Sequence, residues 1–336
     1  MPDGHQRHPD GRDVRAVDGR RPGWYRGDFH VHSVRSSGGE LTVDLLAAEA
    51  RAAGLDFVAA TEHNSALGHA DWAPYAGADL LVIPGREVTT VTGHWLALGV
   101  EAAVPVDWRY GVRDEAVGGQ LDAVRRAGGV CVAAHPHAPY PGGTLAYPYR
   151  WFDAVEVWNG LWASDLPWNA DNEAALAEWA RGLAYDVHRG RWRPAVGNSD
   201  AHLAGQLGTP HTVVRADELT ADAVLAGLRA GRSWVAGSSV VDLEFTATAD
   251  GQAAGVGECL VADDAPIVVR LAVRGVPSGL VTLHAERGTV HREGLPADGA
   301  GTVEWRTTAQ EAGFVRGEVR HPDGRMAALT NPIVLT

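Results

Sequence analysis

One pattern constrains this chain more than any other: short apolar runs that each end in histidine or a carboxylate. Gly27-Asp28-Phe29-His30-Val31-His32-Ser33 closes the first run, and Thr61-Glu62-His63-Asn64 closes the second. Pro84-Gly85-Arg86-Glu87-Val88-Thr89 follows, then Gly93-His94, Ala133-Ala134-His135-Pro136-His137 and Gly197-Asn198-Ser199-Asp200-Ala201-His202. Ionisable side chains beside buried segments are rare unless they are paired or bind a metal. Five apolar segments ending this way call for a fold that gathers strand ends at one place, as the loops of a β/α barrel do.

The rest of the first two thirds supports such a fold. Apolar runs at 27–32, 56–61, 80–84, 95–100, 129–134, 154–158, 195–198 and 212–215 read as strands, and amphipathic stretches at 42–53, 115–127, 172–189 and 220–230 read as helices. Thr42 and Thr220 stand where helices start, and Gly54, Gly128 and Gly231 where they stop. Beyond Val240 the texture changes to alternating strands at 241–248, 267–273, 280–285, 302–307 and 314–320. They are punctuated by Asp250-Gly251, Asp298-Gly299 and Asp323-Gly324 turns. The expected organisation is a lead-in over 1–22 that is disordered, an α/β domain over 23–239 and a small antiparallel β-sandwich over 240–336. Only His284, His291 and His321 of the fifteen histidines fall in the last part, so the chemistry belongs to the α/β domain.

Charge narrows the partners. With 29 basic and 42 acidic residues the formal charge is −13, which repels nucleic-acid polymers and anionic membranes and leaves a small-molecule substrate. Cys131 and Cys259 are far apart and imply neither a disulfide framework nor a zinc-thiolate site; Cys131 lies in an apolar run and reads as a core thiol. No secretory apolar stretch or membrane-length span is present, and the expected compartment is the cytoplasm. Oligomeric state leaves no mark in the sequence.

Residues two apart on a strand share a face, so His30 and His32 can bind one metal together, while a carboxylate such as Glu87 can bridge two cations. Arg35 and Arg86 flank two of the clusters, where they can clamp a phosphate or simply steady loops by salt bridges. His137 and Tyr140 are candidates for substrate contact or for the rim. Most of the twelve tryptophans read as core, with one or two available to line a pocket for an aromatic ring. His69, His188 and His211 have no motif around them and read as surface or satisfied core residues.

The order His-x-His, Thr-Glu-His, Gly-x-Glu, His-Pro and Ser-Asp-Ala-His resembles the polymerase and histidinol phosphatase (PHP) superfamily over about 24–237. Residues 87–99, Val155-Glu156-Val157-Trp158-Asn159-Gly160 and Gly231-Arg232-Ser233-Trp234-Val235 resemble its CehA/McbA-like branch. The resemblance implies a distorted (β/α)7 barrel with two or three Mn, Fe or Zn ions. His30, His32, Glu87 and Asp200 would hold the first metal, Glu87 would bridge to a second held also by His135 and His94, and His63 and His202 match ligands of a third. Where many members complete that third site with Ser-Asp-Gly or a further His, this chain reads Ser36-Ser37-Gly38, and neutral serine is a poor ligand.

The resulting expectation is a metal-dependent hydrolase in which a metal-bridging hydroxide attacks a phosphate mono- or diester. Glu87 and Asp200 would organise the metals, and His202 would protonate the leaving oxygen if it is not tied to a third metal, since a metal-bound histidine cannot do both. A carbamate, ester or amide bond cut by the same metals is the alternative, and a non-catalytic binding module is a third reading that the near-complete ligand set disfavours.

Overall fold

The computed structural model describes residues 22–336, so the disordered lead-in expected over 1–22 lies, apart from Pro22, outside the described residues. The first part contains nine strands: β1 (Gly23–Asp28), β2 (Phe57–Ala60), β3 (Leu81–Thr90), β4 (Gly93–Leu98), β5 (Val130–Ala133), β6 (Ala154–Asn159), β7 (Ala195–Asn198), β8 (His211–Ala216) and β9 (Ser233–Ala236). Its helices are α1 (Val43–Ala52), α2 (Gly68–Trp72), α3 (Val117–Arg126), α4 (Asn172–Asp186) and α5 (Ala221–Arg229). The three stop glycines do as the sequence suggests: Gly54, Gly128 and Gly231 each follow a helix at positive φ, where a side chain would be strained. Of the two cap threonines, Thr220 accepts the Ala223 N–H, whereas Thr42 donates to Asp44 instead.

The strands form one curled mixed sheet in the order β9-β8-β1-β2-β3-β4-β5-β6-β7. β1, β2 and β3 run parallel, as do β5, β6 and β7, but β4 is antiparallel to both its neighbours and β8 is antiparallel to β1. The regular sevenfold alternation is therefore interrupted: β3 turns back into β4 through Val91 and Thr92, and no α-helix joins β5 to β6 or β7 to β8.

The two ends of the curl meet without a strand ladder. The Thr212 hydroxyl on β8 donates to the Gly197 carbonyl at 2.8 Å and accepts the Gly197 N–H at 3.1 Å. Beside it, Asn331 acts as a one-residue strand: Oδ1 takes the Ala195 N–H at 2.7 Å, and Nδ2 reaches the Ala195 carbonyl at 3.0 Å and the Ser233 carbonyl at 2.9 Å. Gly197 must be glycine for this approach, because a Cβ there would lie 2.3 Å from Val235. Buried backbone groups need partners, and two side chains supply them to the last strand of the curl.

The remaining strands are β10 (Asp242–Ala249), β11 (Gln252–Gly255), β12 (Cys259–Leu260), β13 (Ile267–Arg274), β14 (Leu280–Ala285), β15 (Gly288–Gly294), β16 (Gly301–Thr307), β17 (Phe314–Arg320), β18 (Met326–Thr330) and β19 (Ile333–Leu335). β11, β10, β13 and β16 form a separate antiparallel sheet; β14, β15, β17, β18, β19 and β12 continue the large sheet, because β18 pairs with β9. Val269 and Leu271 from the separate sheet share one apolar cluster with Val281, Leu283 and Val315 from the continuation. None of the helices among the described residues is long and apolar enough to cross a membrane.

Candidate metal centre

β1 stops at Asp28, four residues short of the sequence expectation. Its continuation is held by side chains in place of a ladder. The Asp28 carboxylate accepts backbone N–H groups of His30, Ser199 and Gly208, and Thr61 Oγ1 bonds both the N–H and the carbonyl of Val31. Val31 still bridges to Ala201 in parallel fashion, so His30 and His32 keep the shared face that a strand would give them. Burial lifts the Asp28 carboxyl to about 6 against the opposing pull of those hydrogen bonds.

The other groups arrive from separate strands. His63 follows β2, Glu87 lies within β3, and His135 and Asp200 follow β5 and β7 at positive φ of 23° and 51°. His94 begins its strand instead of ending one. Because β4 is antiparallel, its start pairs with Thr89 at the far end of β3 and reaches the same end of the sheet.

Glu87, 1% exposed, is the hub. Its Oε1 lies 2.9 Å from His94 Nδ1 and 3.0 Å from His135 Nε2; its Oε2 lies 3.0 Å from His63 Nε2 and 3.5 Å from the Nε2 atoms of both His30 and His32. Asp200 Oδ1 sits 3.0 Å from His32 Nε2 and 3.4 Å from His30 Nε2. His202 Nδ1 lies 2.9 Å from the Asp200 carbonyl oxygen, which leaves Nε2 as its free nitrogen. Burial opposes ionisation of Glu87 and Asp200, yet the imidazoles around them hold both carboxyls well below the usual range. Burial pushes His32 down to about 3, while Asp200 and Glu156 overcome the same effect at His30 and raise it.

A divalent ion fits this donor set. His30 Nε2, His32 Nε2, His135 Nδ1 and Asp200 Oδ1 are all buried with no hydrogen-bond partner, a costly arrangement for polar atoms in a dry interior. Ligand atoms lie within 4.8 Å of one another in four overlapping groups: His30/His32/Glu87, His30/His135/Asp200, Glu87/His94/His135 and His32/His63/His202. Imidazole with carboxylate is a ligand set suited to first-row divalent metals.

A second layer orients the first. Glu156, 1% exposed, faces His30 Nδ1 at 3.1 Å and accepts the His135 N–H at 2.8 Å, Asn198 Nδ2 at 2.7 Å and Asn159 Nδ2 at 3.0 Å. Asn159 also reaches Asp200 Oδ2 at 3.2 Å. On the other side Glu62 accepts the hydroxyls of Ser33 and Ser36, and Ser36 Oγ contacts His32 Nδ1 at 3.2 Å and the His63 N–H at 2.9 Å. Fixing one imidazole nitrogen this way leaves the other for a metal. Sequence reasoning did not single out Glu156, Asn159 or Asp28 as working residues. The signal available was an acid inside a fully buried strand, Ala-Val-Glu-Val-Trp-Asn.

Not every expected residue joins the cluster. Arg35 is exposed and its guanidinium pairs with Asp71 at 2.7 Å. Arg86 neighbours Glu87 on β3 and so points to the opposite face, where it reaches the Glu101 carbonyl at 3.3 Å. His137 Nε2 pairs with Glu178 on α4 at 3.1 Å. Tyr140 does approach, its hydroxyl 3.4 Å from His135 Nε2. Ser37 is exposed, and it is Ser36 that occupies the buried position. His69 Nε2 meets the Gly85 backbone away from the cluster, His211 lies between the Gly208 carbonyl and Arg26, and His188 is an exposed partner of Glu286.

Fold and cluster together define a mixed α/β protein with a site suited to divalent metals. Residues 178–233 match the family model PHP_C, described as PHP-associated. The fold is shared with a two-domain protein from Bacteroides vulgatus ATCC 8482 described as containing a predicted PHP-like metal-dependent phosphoesterase. Identity is 17%, the TM-score is 0.53, and the match covers 98% of this chain and 100% of that one. PsfC from Pseudomonas syringae PB-5123 is similar at 20% identity and a TM-score of 0.41, over 61% of this chain and 87% of its own. No curated protein matches. The family model matches one segment of the chain, and the Bacteroides protein shares its fold.

Proposed function

We propose that the protein is a metal-dependent phosphoesterase acting on a small phosphate mono- or diester, its curled sheet being the distorted (β/α)7 barrel of the PHP type. The observation that carries the reading is the convergence of six imidazoles on Glu87 and Asp200, with buried nitrogens that lack any other partner. His30, His32, His63, His94, His135, His202, Glu87 and Asp200 would hold two or three Mn, Fe or Zn ions. When bound, such ions polarise a phosphoryl oxygen and lower the pKa of water. Glu87 presents one oxygen to His94 and His135 and the other to His30, His32 and His63, so it binds the two halves of the cluster as one unit. When only two ions are held and the His32/His63/His202 group is without one, His202, with Nδ1 tied to the Asp200 carbonyl, keeps Nε2 free to pass a proton to the leaving oxygen; bound to a metal it would do only the ligand's work.

Replacing Glu87 by Gln should abolish turnover and strip metal, read by metal counting and by hydrolysis of chromogenic phosphomonoester and phosphodiester substrates. Full activity with full metal content would sink the assignment. A second reading, hydrolysis of a carbamate, ester or amide as the CehA/McbA resemblance suggests, is favoured by one observation. The guanidinium groups of Arg35 and Arg86 are engaged elsewhere, which suits a neutral substrate. An aryl carbamate with the same chromogenic leaving group decides between them.

A further inference from the structure

At the opposite end of the sheet, where β5 and β6 begin, lies an open cleft of about 1020 Å³ between α3, the start of β6 and the start of β7. It is separate from the metal centre: Asp153 in the cleft accepts the N–H of Cys131 on β5 at 2.9 Å, and His135 at the cluster lies four residues further on, about 13 Å of extended chain.

The cleft concentrates positive charge in a chain whose formal charge is −13. Five arginines line it: Arg125, Arg150, Arg191, Arg193 and Arg229. Only Arg125 is neutralised, by Asp153 at 3.0 Å and Asp122 at 3.7 Å. The other four make no ion pair with a carboxylate among the described residues. Arg193 is held by the carbonyl oxygens of Phe152 at 2.9 Å and Arg150 at 2.6 Å, and Arg229 by those of Gly128 and, at 2.9 Å, Gly129. These bonds fix two guanidinium groups in place and cancel none of their charge. Arg150 lies over the Trp151 ring at 6.0 Å, and Arg191 makes no side-chain hydrogen bond among the described residues. Counting Glu115, Asp122 and Asp153 against the five arginines leaves a net charge of +2.

Two aromatic surfaces complete the cleft. Trp151 is 38% exposed, and Trp192 is braced against Gly231, where a Cβ would lie 2.1 Å from its ring. Fixed guanidinium groups recognise phosphate oxygens, indole faces stack planar rings, and the volume is that of a small-ligand site.

We propose that this cleft is a second binding site, for a nucleotide-sized aromatic phosphate, with Arg193 and Arg229 as fixed anion contacts, Arg150 and Arg191 closing on the phosphate, and Trp151 and Trp192 taking the ring. The test is calorimetric titration of the full chain, carrying Glu87→Gln so that the metal centre does not consume the probe, with AMP, adenosine and inorganic phosphate. AMP should bind at least ten-fold more tightly than either fragment and should weaken as salt rises. Arg150→Met with Arg191→Met, two exposed side chains that hold no structure together, should weaken AMP at least ten-fold while unfolding behaviour stays unchanged. The proposal is overturned if AMP does not bind, if phosphate binds as well as AMP, or if the double variant binds AMP as the parent does. None of these outcomes bears on phosphoesterase activity, which the Glu87 variant tests separately.

Discussion

Replacing Asn331 by Ala tests how the curled sheet closes. The carboxamide is 1% exposed and satisfies the Ala195 N–H, the Ala195 carbonyl and the Ser233 carbonyl, with Ser233 Oγ 2.9 Å away as well. Ala removes every one of these partners from a buried site. An orphaned buried N–H costs about 1–3 kcal/mol, and two carbonyls left under-satisfied add about 1 kcal/mol each. The expected loss is about 3–5 kcal/mol, a large share of the ~5–15 kcal/mol that holds a typical domain together. Urea unfolding followed by tryptophan fluorescence reads it directly. Asn331→Asp sharpens the test, since it keeps the acceptor for Ala195 N–H but turns a negative oxygen toward two carbonyls. It should be at least as damaging as Ala. A loss under about 1 kcal/mol for Ala, or an Asp variant as stable as the parent, would refute this account of closure.

Glu156→Gln keeps the size of the side chain but offers an amide where His30, His135, Asn159 and Asn198 all need an acceptor. Metal affinity should fall about 10- to 100-fold, the usual range for partners of metal ligands, measured by competition with a chelating dye. Burial and the Arg26 guanidinium hold the His211 imidazole down to about 4, with Nδ1–H donating to the Gly208 carbonyl and Nε2 facing Arg26. The unfolded chain binds that proton near pH 6.5 and the folded one does not. Stability from this group is therefore complete above about pH 6.5 and is lost as the pH falls toward 4, by up to about 3 kcal/mol. In His211→Gln the slope of unfolding free energy over that window should flatten; an unaltered slope would mean His211 is not its source.

Much of this molecule is legible in the chain because periodicity and punctuation are local. β13 reads apolar at Ile267, Val269, Leu271 and Val273, and those side chains are the buried ones. Gly54, Gly128 and Gly231 mark helix ends because only their φ permits the turn. β18 escapes notice because all of its residues are buried and no alternation remains to be read. Of the clustered histidines, His30, His32, His63, His135 and His202 are legible as endings of apolar runs, whereas His94 opens its strand, and the outward face of Arg86 follows from its place beside Glu87. Glu156, Asp28 and Asn331 are not, because a single polar residue gains its meaning from partners up to 180 positions away. The end of β1 at Asp28 is hidden for the same reason: a side chain replaces the ladder that a strand pattern presupposes.

The bridge between Asn331 and Ala195 also sets an order of events during synthesis. The two residues are 136 positions apart, and β18, which covers the edge of β9, is made only a few residues before Asn331. On the ribosome, all nine strands of the first part and every proposed metal ligand are therefore outside the tunnel while the sheet still has an open seam and an uncovered edge. Such an edge is a template for pairing with another chain. The nascent protein passes through a stage in which it already carries the whole site but lacks the residue that locks the curl, and that interval is where misassembly competes with folding.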